Sequence, residues 1–250
     1  MKKTLKELIK QKYNLDDKTI DSLAMQGKIF VNNEKIFLSS FKFKEDCKIE
    51  INDKKNKYVS RGAYKLKKAI EEFNIQPEDK ICLDIGSSTG GFVQVLLEYK
   101  AKKVYALDSG TNQLDFSLRQ NKNVFVYEKT NLKNITSEMF KEKIDLITCD
   151  VSFISLKNVF EICNRSFENG VKIMALIKPQ FEASSKFVEP GGYVKEEHHE
   201  YIKNKIIRFA NDNNFYLIKQ IIKSPILGDK SKNIEYLSFF EKKEMRKNER

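Results

Sequence analysis

The sequence predicts an α/β fold, a mostly parallel sheet with helices on both faces, preceded by a small α+β unit. Three observations carry that expectation. Apolar runs at 81–85, 104–107, 124–127, 144–149 and 171–177 have the length and β-branched content of buried strands. Segments with helical periodicity alternate with several of them, the pattern that builds a parallel sheet. Ahead of them lies a lysine-rich stretch of different texture, closed by the unpatterned polar run N-D-K-K-N-K.

The bulk composition narrows the partners. The 250 residues hold 46 Lys+Arg against 35 Asp+Glu, a net charge of +11. That balance suits a polyanionic partner, or simply a lysine-coated surface. With 40% hydrophobic residues the chain can bury a core, and no apolar run approaches the length of a membrane span. M-K-K-T-L-K-E-L-I-K lacks the continuous apolar segment of a signal peptide, so a cytoplasmic protein is expected. Cys47, Cys82, Cys149 and Cys163 have no metal-ligand spacing. Free thiols, buried at Cys82 and Cys149, and no metal are the expectation.

Residues 1–51 read as a unit of their own. Leu5, Leu8 and Ile9 mark one helical face, and Ile20, Leu23 and Met25 a second, which Gly27 ends. The stretch 28–31 is strand-like, Asn32 and Asn33 form a turn, and 35–38 returns as a strand. Cys47, Ile49 and Ile51 alternate with Lys48 and Glu50 in a closing strand. Two helices followed by Q-G-K-I-F-V-N-N resemble the S-four RNA-binding domain, whose hallmark is A-G-x-V-x-V-N-G. The resemblance implies RNA contacts from this unit. Where that family carries arginines, this chain has lysines such as Lys12, Lys18 and Lys28, which neutralise phosphate without the bidentate fork. A docking unit that never meets RNA is the other reading. Residues 52–57 are the expected linker.

The larger unit, 58–240, opens with Y-V-S-R-G-A-Y-K-L-K-K-A-I. Ser60 is placed to cap a helix through Ala63, Leu66, Ala69 and Ile70, with Arg61, Lys65 and Lys68 on one face. That face is a solvated stripe or the RNA-contacting flank of a cleft. I-C-L-D-I-G-S-S-T-G-G-F then reads as strand, glycine loop and helix start. Gly86, Gly90 and Gly91 let a ligand approach the backbone, with Asp84, Ser87, Ser88, Thr89 and Phe92 as further cofactor-binding candidates. Asp108 ends the next strand, where an acid can accept from ribose hydroxyls. Its separation from Asp84 is close to the roughly 20 residues of one βαβ unit. An adenosine-containing cofactor is therefore expected. The spacing G-x-x-x-G-G departs from the dinucleotide G-x-G-x-x-G and resembles the first motif of the class I, Rossmann-like S-adenosylmethionine-dependent methyltransferases. A dehydrogenase is the alternative.

Asn131 follows the third strand as an adenine contact or a simple turn residue. Asp150 ends the fourth strand within C-D-V-S-F-I-S and borders the cofactor loop. Lys178 ends the fifth within L-I-K-P-Q-F-E-A, held extended by Pro179. Residues 184–193 read as an active-site loop, 202–209 as a helix, 215–222 as a strand and 224–232 as a turn-rich loop. Glu235 opens the last strand, and 241–250 is a charged tail. His198 and His199, within K-E-E-H-H-E, read as a solvated helix start without chemistry.

Lys65, Asp150, Lys178 and Glu235 thus converge on one cleft. A ribose 2′-hydroxyl is a poor nucleophile until its proton is removed. Lys178 is the candidate base, provided desolvation or a neighbouring cation favours its neutral form. Lys65 is the candidate stabiliser of the developing alkoxide, and the two acids orient them. In-line attack makes positioning a large part of the rate.

Taken together, Y-V-S-R-G, L-D-I-G-S-S-T-G-G-F, D-S-G-T-N-Q-L, D-V-S-F-I-S, I-K-P-Q-F-E and S-P-I-L-G-D-K-S-K-N-I-E-Y-L resemble the TlyA family. The resemblance implies an S-four domain fused to an FtsJ-like 2′-O-ribose methyltransferase that uses S-adenosylmethionine. It also implies a Lys-Asp-Lys-Glu tetrad at Lys65, Asp150, Lys178 and Glu235, and cytidine in the ribosomal RNA of a ribosomal subunit as the target. Members have also been labelled haemolysins, and no amphipathic or spanning segment here supports that label. A non-catalytic RNA-binding or ribosome-assembly factor on the same scaffold, or a cytolytic protein, are the competing classes. The sequence carries no sign of the oligomeric state.

Overall fold

The computed structural model describes residues 2–13, 15–25, 27–51, 57–228 and 232–244. The chain divides into two compact units, Met1–Lys57 and Tyr58–Arg250. Residues 52–56 of the expected linker, 229–231 of the turn-rich loop and 245–250 of the expected tail lie outside the described residues.

In the first unit, β1 (Lys2–Thr4) leads into α1 (Leu5–Tyr13) and α2 (Asp17–Met25), followed by β2 (Ile29–Val31), β3 (Glu34–Ile36), β4 (Lys42–Lys44) and β5 (Ile49–Ile51). Thr4 and Glu7 start α1 by capping each other: Thr4 Oγ1 accepts from the Glu7 amide at 3.2 Å and Glu7 Oε2 from the Thr4 amide at 2.7 Å. Asp16 caps α2 through the Thr19 amide at 3.0 Å. Leu5, Leu8, Ile9, Ile20 and Leu23 pack on Ile29, Val31 and Ile49. Met25 does not join them and is 76% exposed; Ala24, at i+4 from Ile20, takes the inward position. β2 lies between β3 and β5, antiparallel to both. Asn32 and Asn33 turn the first hairpin with φ of 52° and 70°, which asparagine tolerates. β1 pairs antiparallel with β4 in a separate ribbon. The sequence does not predict it, because K-K-T and K-F-K offer almost no apolar alternation.

The second unit runs α3 (Ala63–Phe73), β6 (Ile81–Ile85), α4 (Gly91–Glu98), β7 (Lys103–Leu107), α5 (Phe116–Arg119), β8 (Val124–Tyr127), β9 (Leu146–Cys149) and α6 (Leu156–Ser166). It continues through β10 (Lys172–Ile177), α7 (Pro179–Glu182), α8 (His199–Asp212), β11 (Phe215–Lys223) and β12 (Tyr236–Lys242). The seven strands are ordered β11-β12-β10-β9-β6-β7-β8. From β8 to β10 the ladders are parallel, and β12 is antiparallel to both its neighbours. Leu66, Ile70, Val93 and Leu96 of α3 and α4 cover one face. Val159, Phe160, Ile202 and Ile206 of α6 and α8 cover the other. This is the expected α/β fold, and covering both faces explains why β6 is buried along its whole length.

The chain moves outward from β6 through β7 to β8, then crosses to β9 on the other side of β6. A crevice therefore opens beyond the carboxyl ends of β6 and β9, the usual ligand site of such sheets. β12 continues to Lys242, so Glu241 and Lys242 belong to the sheet rather than to a charged tail. Lys242 is buried, and its Nζ donates to the carbonyls of Asn164 and Phe167 at the end of α6. Cys82, Cys149 and Cys163 are buried free thiols and Cys47 is half-buried. Among the described residues no helix is long and apolar enough to cross a membrane, and no cluster of His, Cys, Asp and Glu is placed to hold a metal ion.

Candidate active site

After β6 the chain turns through Gly86 (φ 84°) and Gly90 (φ 97°) into α4. A Cβ on Gly86 would stand 2.9 Å from the Asp150 carbonyl oxygen, and one on Gly91 would stand 2.1 Å from Ser60 Oγ. Glycine thus lets the exit of β9 and the segment before α3 press against the loop. Ser60 packs here instead of capping α3, whose N-cap is Gly62 with no side-chain bond. Asp108 Oδ2 accepts from the Ser88 amide and Oδ1 from the Gly110 amide, each at 2.8 Å. That fixes the carboxylate beside the loop with lone pairs left for a ligand. Asn131 caps a 3-10 turn at Leu132–Asn134, its Oδ1 accepting from the Lys133 amide at 3.0 Å. That bond fits the turn role; neither Asn131 nor Asp108 is among the residues lining the cleft described next.

A cleft of about 560 Å³ lies over the loop. Gly86, Ser87, Ser88, Thr89, Gly91 and Phe92 form one wall, and Arg61, Lys65, Asp150, Lys178 and Glu235 are also exposed to it. The size suits a small-molecule site. Phe153 and Phe181 line it too, with ring centroids 5.0 Å apart; Phe153 is 85% exposed and has φ 63°. Both sit directly downstream of Asp150 and Lys178 inside the quoted motifs, which is the signal that could have found them.

Asp84 lies beneath the loop and is 1% exposed. Its Oδ1 accepts from Thr148 Oγ1 at 2.7 Å, while Oδ2 is buried without a hydrogen-bond partner. Burial pushes this carboxyl up to about 7 against the Thr148 and Ser87 hydrogen bonds, and Asp150 and Asp108 push it further the same way. S-adenosylmethionine, which has no pyrophosphate to cradle, suits a glycine loop bordered by the Asp108 and Asp150 carboxyl groups.

The four convergent residues come from separate elements. Lys65 is in α3, Asp150 follows β9, Lys178 follows β10 and Glu235 precedes β12. Lys65 Nζ is 2.6 Å from Glu235 Oε2 and 3.7 Å from Asp150 Oδ2. Lys178 Nζ is 2.6 Å from Asp150 Oδ1 and donates to Ser152 Oγ at 3.1 Å. Glu235, Lys65, Asp150 and Lys178 therefore form one line of alternating charge. Lys178 is extended (φ −111°, ψ 103°) with Pro179 starting α7, as Pro179 predicts.

Of the basic stripe, Lys65 and Lys68 belong to α3. Arg61 precedes the helix and lines the cleft, while Lys68 pairs with Glu72 at 2.6 Å. Lys12 and Lys18 are exposed on α1 and α2, and Lys28 stands just before β2. His199 is not solvated. Its ring is buried between the Tyr236 hydroxyl at 2.8 Å and the Val194 carbonyl at 3.0 Å, and burial lowers its pKa. His198 instead stacks on Phe187, with centroids 4.2 Å apart.

The FtsJ-like methyltransferase family model matches residues 58–242. Hemolysin A of Brachyspira hyodysenteriae is 44% identical over 220 residues, covering 87% of this chain and 90% of that protein. The 23S rRNA (cytidine-2′-O)-methyltransferase TlyA of Campylobacter jejuni is 44% identical over 185 residues, 73% of this chain and 70% of its own. A solved structure from Streptococcus thermophilus, provisionally named a hemolysin, superposes with a TM-score of 0.74 at 35% identity. The match covers 97% of this chain and 89% of that one.

Proposed function

The chain belongs to the FtsJ-like methyltransferase family and is an RNA 2′-O-methyltransferase, and from that premise we propose that it methylates the 2′-oxygen of a cytidine in ribosomal RNA. The observation that supports this reading best is the line of alternating charge from Glu235 through Lys65 and Asp150 to Lys178, set beside a glycine-loop cleft.

Gly86–Phe92 and Asp108 would hold S-adenosylmethionine, which would supply an electrophilic methyl group on its sulfonium. The remaining work falls to the chain. Lys178 takes the proton of the 2′-hydroxyl; its contacts with Asp150 and Ser152 leave the third position of a tetrahedral nitrogen for the substrate. Lys65 then stabilises the developing alkoxide while Glu235 holds it in place. Asp150 sets the spacing of the two lysines. Residues 1–51, through Lys12, Lys18 and Lys28, and Arg61 and Lys68 in the second unit add phosphate contacts. A ribosomal substrate puts the protein with the ribosomes, in the cytoplasm.

The test is transfer of radiolabelled methyl from S-adenosylmethionine onto purified, unmodified ribosomal subunits, with the modified ribose then mapped. Label on one cytidine 2′-oxygen, lost in Lys178→Ala, is expected. Measurable cofactor binding without label on either subunit or on naked rRNA would overturn the reading in favour of an assembly factor.

A further inference from the structure

The two chain segments that carry Asp150 and Lys178 are fastened to each other at three levels. At the cleft, Lys178 Nζ meets Asp150 Oδ1 at 2.6 Å and Ser152 Oγ at 3.1 Å. One step further along both segments, Phe181 packs on Phe153 with centroids 5.0 Å apart. Behind the cleft wall, Glu182 Oε1 accepts from the Leu156 amide at 2.8 Å, and Oε2 accepts from the Ser155 hydroxyl at 2.7 Å. These last two bonds join the end of α7 to the start of α6.

Glu182 is an unusual residue for that task. It is 3% exposed, and burial pushes its carboxyl up to about 7 despite the Leu156 and Ser155 hydrogen bonds and the nearby Lys205 charge. Burying a carboxyl is unfavourable unless its donors hold it well. Here even its backbone is tied, since Lys205 Nζ of α8 donates to the Glu182 carbonyl at 2.7 Å. Between the first and third fastenings the chain passes through Phe153, whose left-handed φ of 63° is unfavourable for an aromatic residue. Such a conformation persists only where its surroundings over-determine it. The Asp150–Lys178 pair fixes the upstream end of that stretch, and Glu182 fixes the downstream end.

We propose that Glu182 is a positioning residue for methyl transfer: by gripping Ser155 and Leu156 it holds 150–156 against 178–182, and so sets how Asp150 and Lys178 meet the substrate hydroxyl. The inference rests on the proposed function above. Glu182 does not line the cleft.

The experiment compares wild type, Glu182→Ala, Glu182→Gln and Ser155→Ala as full chains. It measures kcat and KM on unmodified ribosomal subunits, S-adenosylmethionine Kd by titration calorimetry, and the thermal midpoint. Glu182→Ala should lower kcat by on the order of tenfold or more, the scale expected of a small misplacement, with cofactor Kd unchanged. Glu182→Gln should recover most of kcat, because its amide oxygen still accepts from Leu156 and its amide nitrogen can donate to Ser155. Ser155→Ala should give an intermediate loss, and it decides the matter if Glu182→Ala does not fold. Unchanged kcat in Glu182→Ala or Ser155→Ala, no recovery in Glu182→Gln, or loss of cofactor affinity in step with kcat would each overturn the proposal. A wild type that binds cofactor yet methylates no RNA would instead sink the functional reading, which separates the two failures.

Discussion

Lys178 Nζ sits 2.6 Å from Asp150 Oδ1, and the same carboxylate reaches Lys65 at 3.7 Å with its other oxygen. One acid thus spaces two lysines that would otherwise repel. Removing the lysine assigned as base should remove proton transfer and leave the glycine loop intact. Lys178→Ala is expected to lower turnover by about 10²–10⁴-fold, the usual worth of general acid–base catalysis. Calorimetric S-adenosylmethionine affinity should stay as in the wild type. Normal turnover would take Lys178 out of the mechanism.

Asp108 holds the amides of Ser88 and Gly110 and keeps lone pairs free. If those contact ribose hydroxyls, Asp108→Ala should weaken cofactor binding by about 1–3 kcal/mol. Titration calorimetry reads this directly, and an unaltered Kd would assign Asp108 to loop structure alone.

Asp84 gives a pH signature. Its carboxyl is pushed up to about 7 in the fold from an ordinary value of 3.8. The folded protein therefore binds a proton that the unfolded chain releases across that window. The resulting stability is fully present below the ordinary value and is lost as pH rises through 7. Thermal midpoints of wild type relative to Asp84→Asn, recorded from pH 4 to 8, should fall with rising pH. A flat difference would mean that Asp84 titrates normally.

Lys242 offers a test of the sheet edge. Its ammonium supplies the carbonyls at the end of α6 with buried donors. Lys242→Ala should leave them unpaired and destabilise the protein by about 1–3 kcal/mol in urea unfolding. A midpoint equal to wild type would return this residue to the solvated tail that its sequence context suggests.

The parts of the structure that the sequence announces are those with a repeating physical signal. The five parallel strands are continuous apolar runs because both faces of the sheet are covered, and the glycine loop is visible because close approach demands glycine. What stays hidden depends on partners far along the chain. Glu182 looks like any surface acid until α6 is packed against α7. His199 sits in a polar run, yet its ring is the first inward position of α8, and only Tyr236 and Val194 reveal that. The β1–β4 ribbon rests on backbone bonds between lysine-rich triplets, where side-chain pattern says nothing. Ser60 has the sequence context of a cap, and the missing Cβ of Gly91 gives it a different seat.

Lys65 and Glu235 form an ion pair across a separation of 170 residues. The glycine loop, by contrast, is built from strand and helix adjacent in sequence. During synthesis the residues of the loop are therefore all made well before the line of charge can close, because its last member, Glu235, comes just ahead of β12.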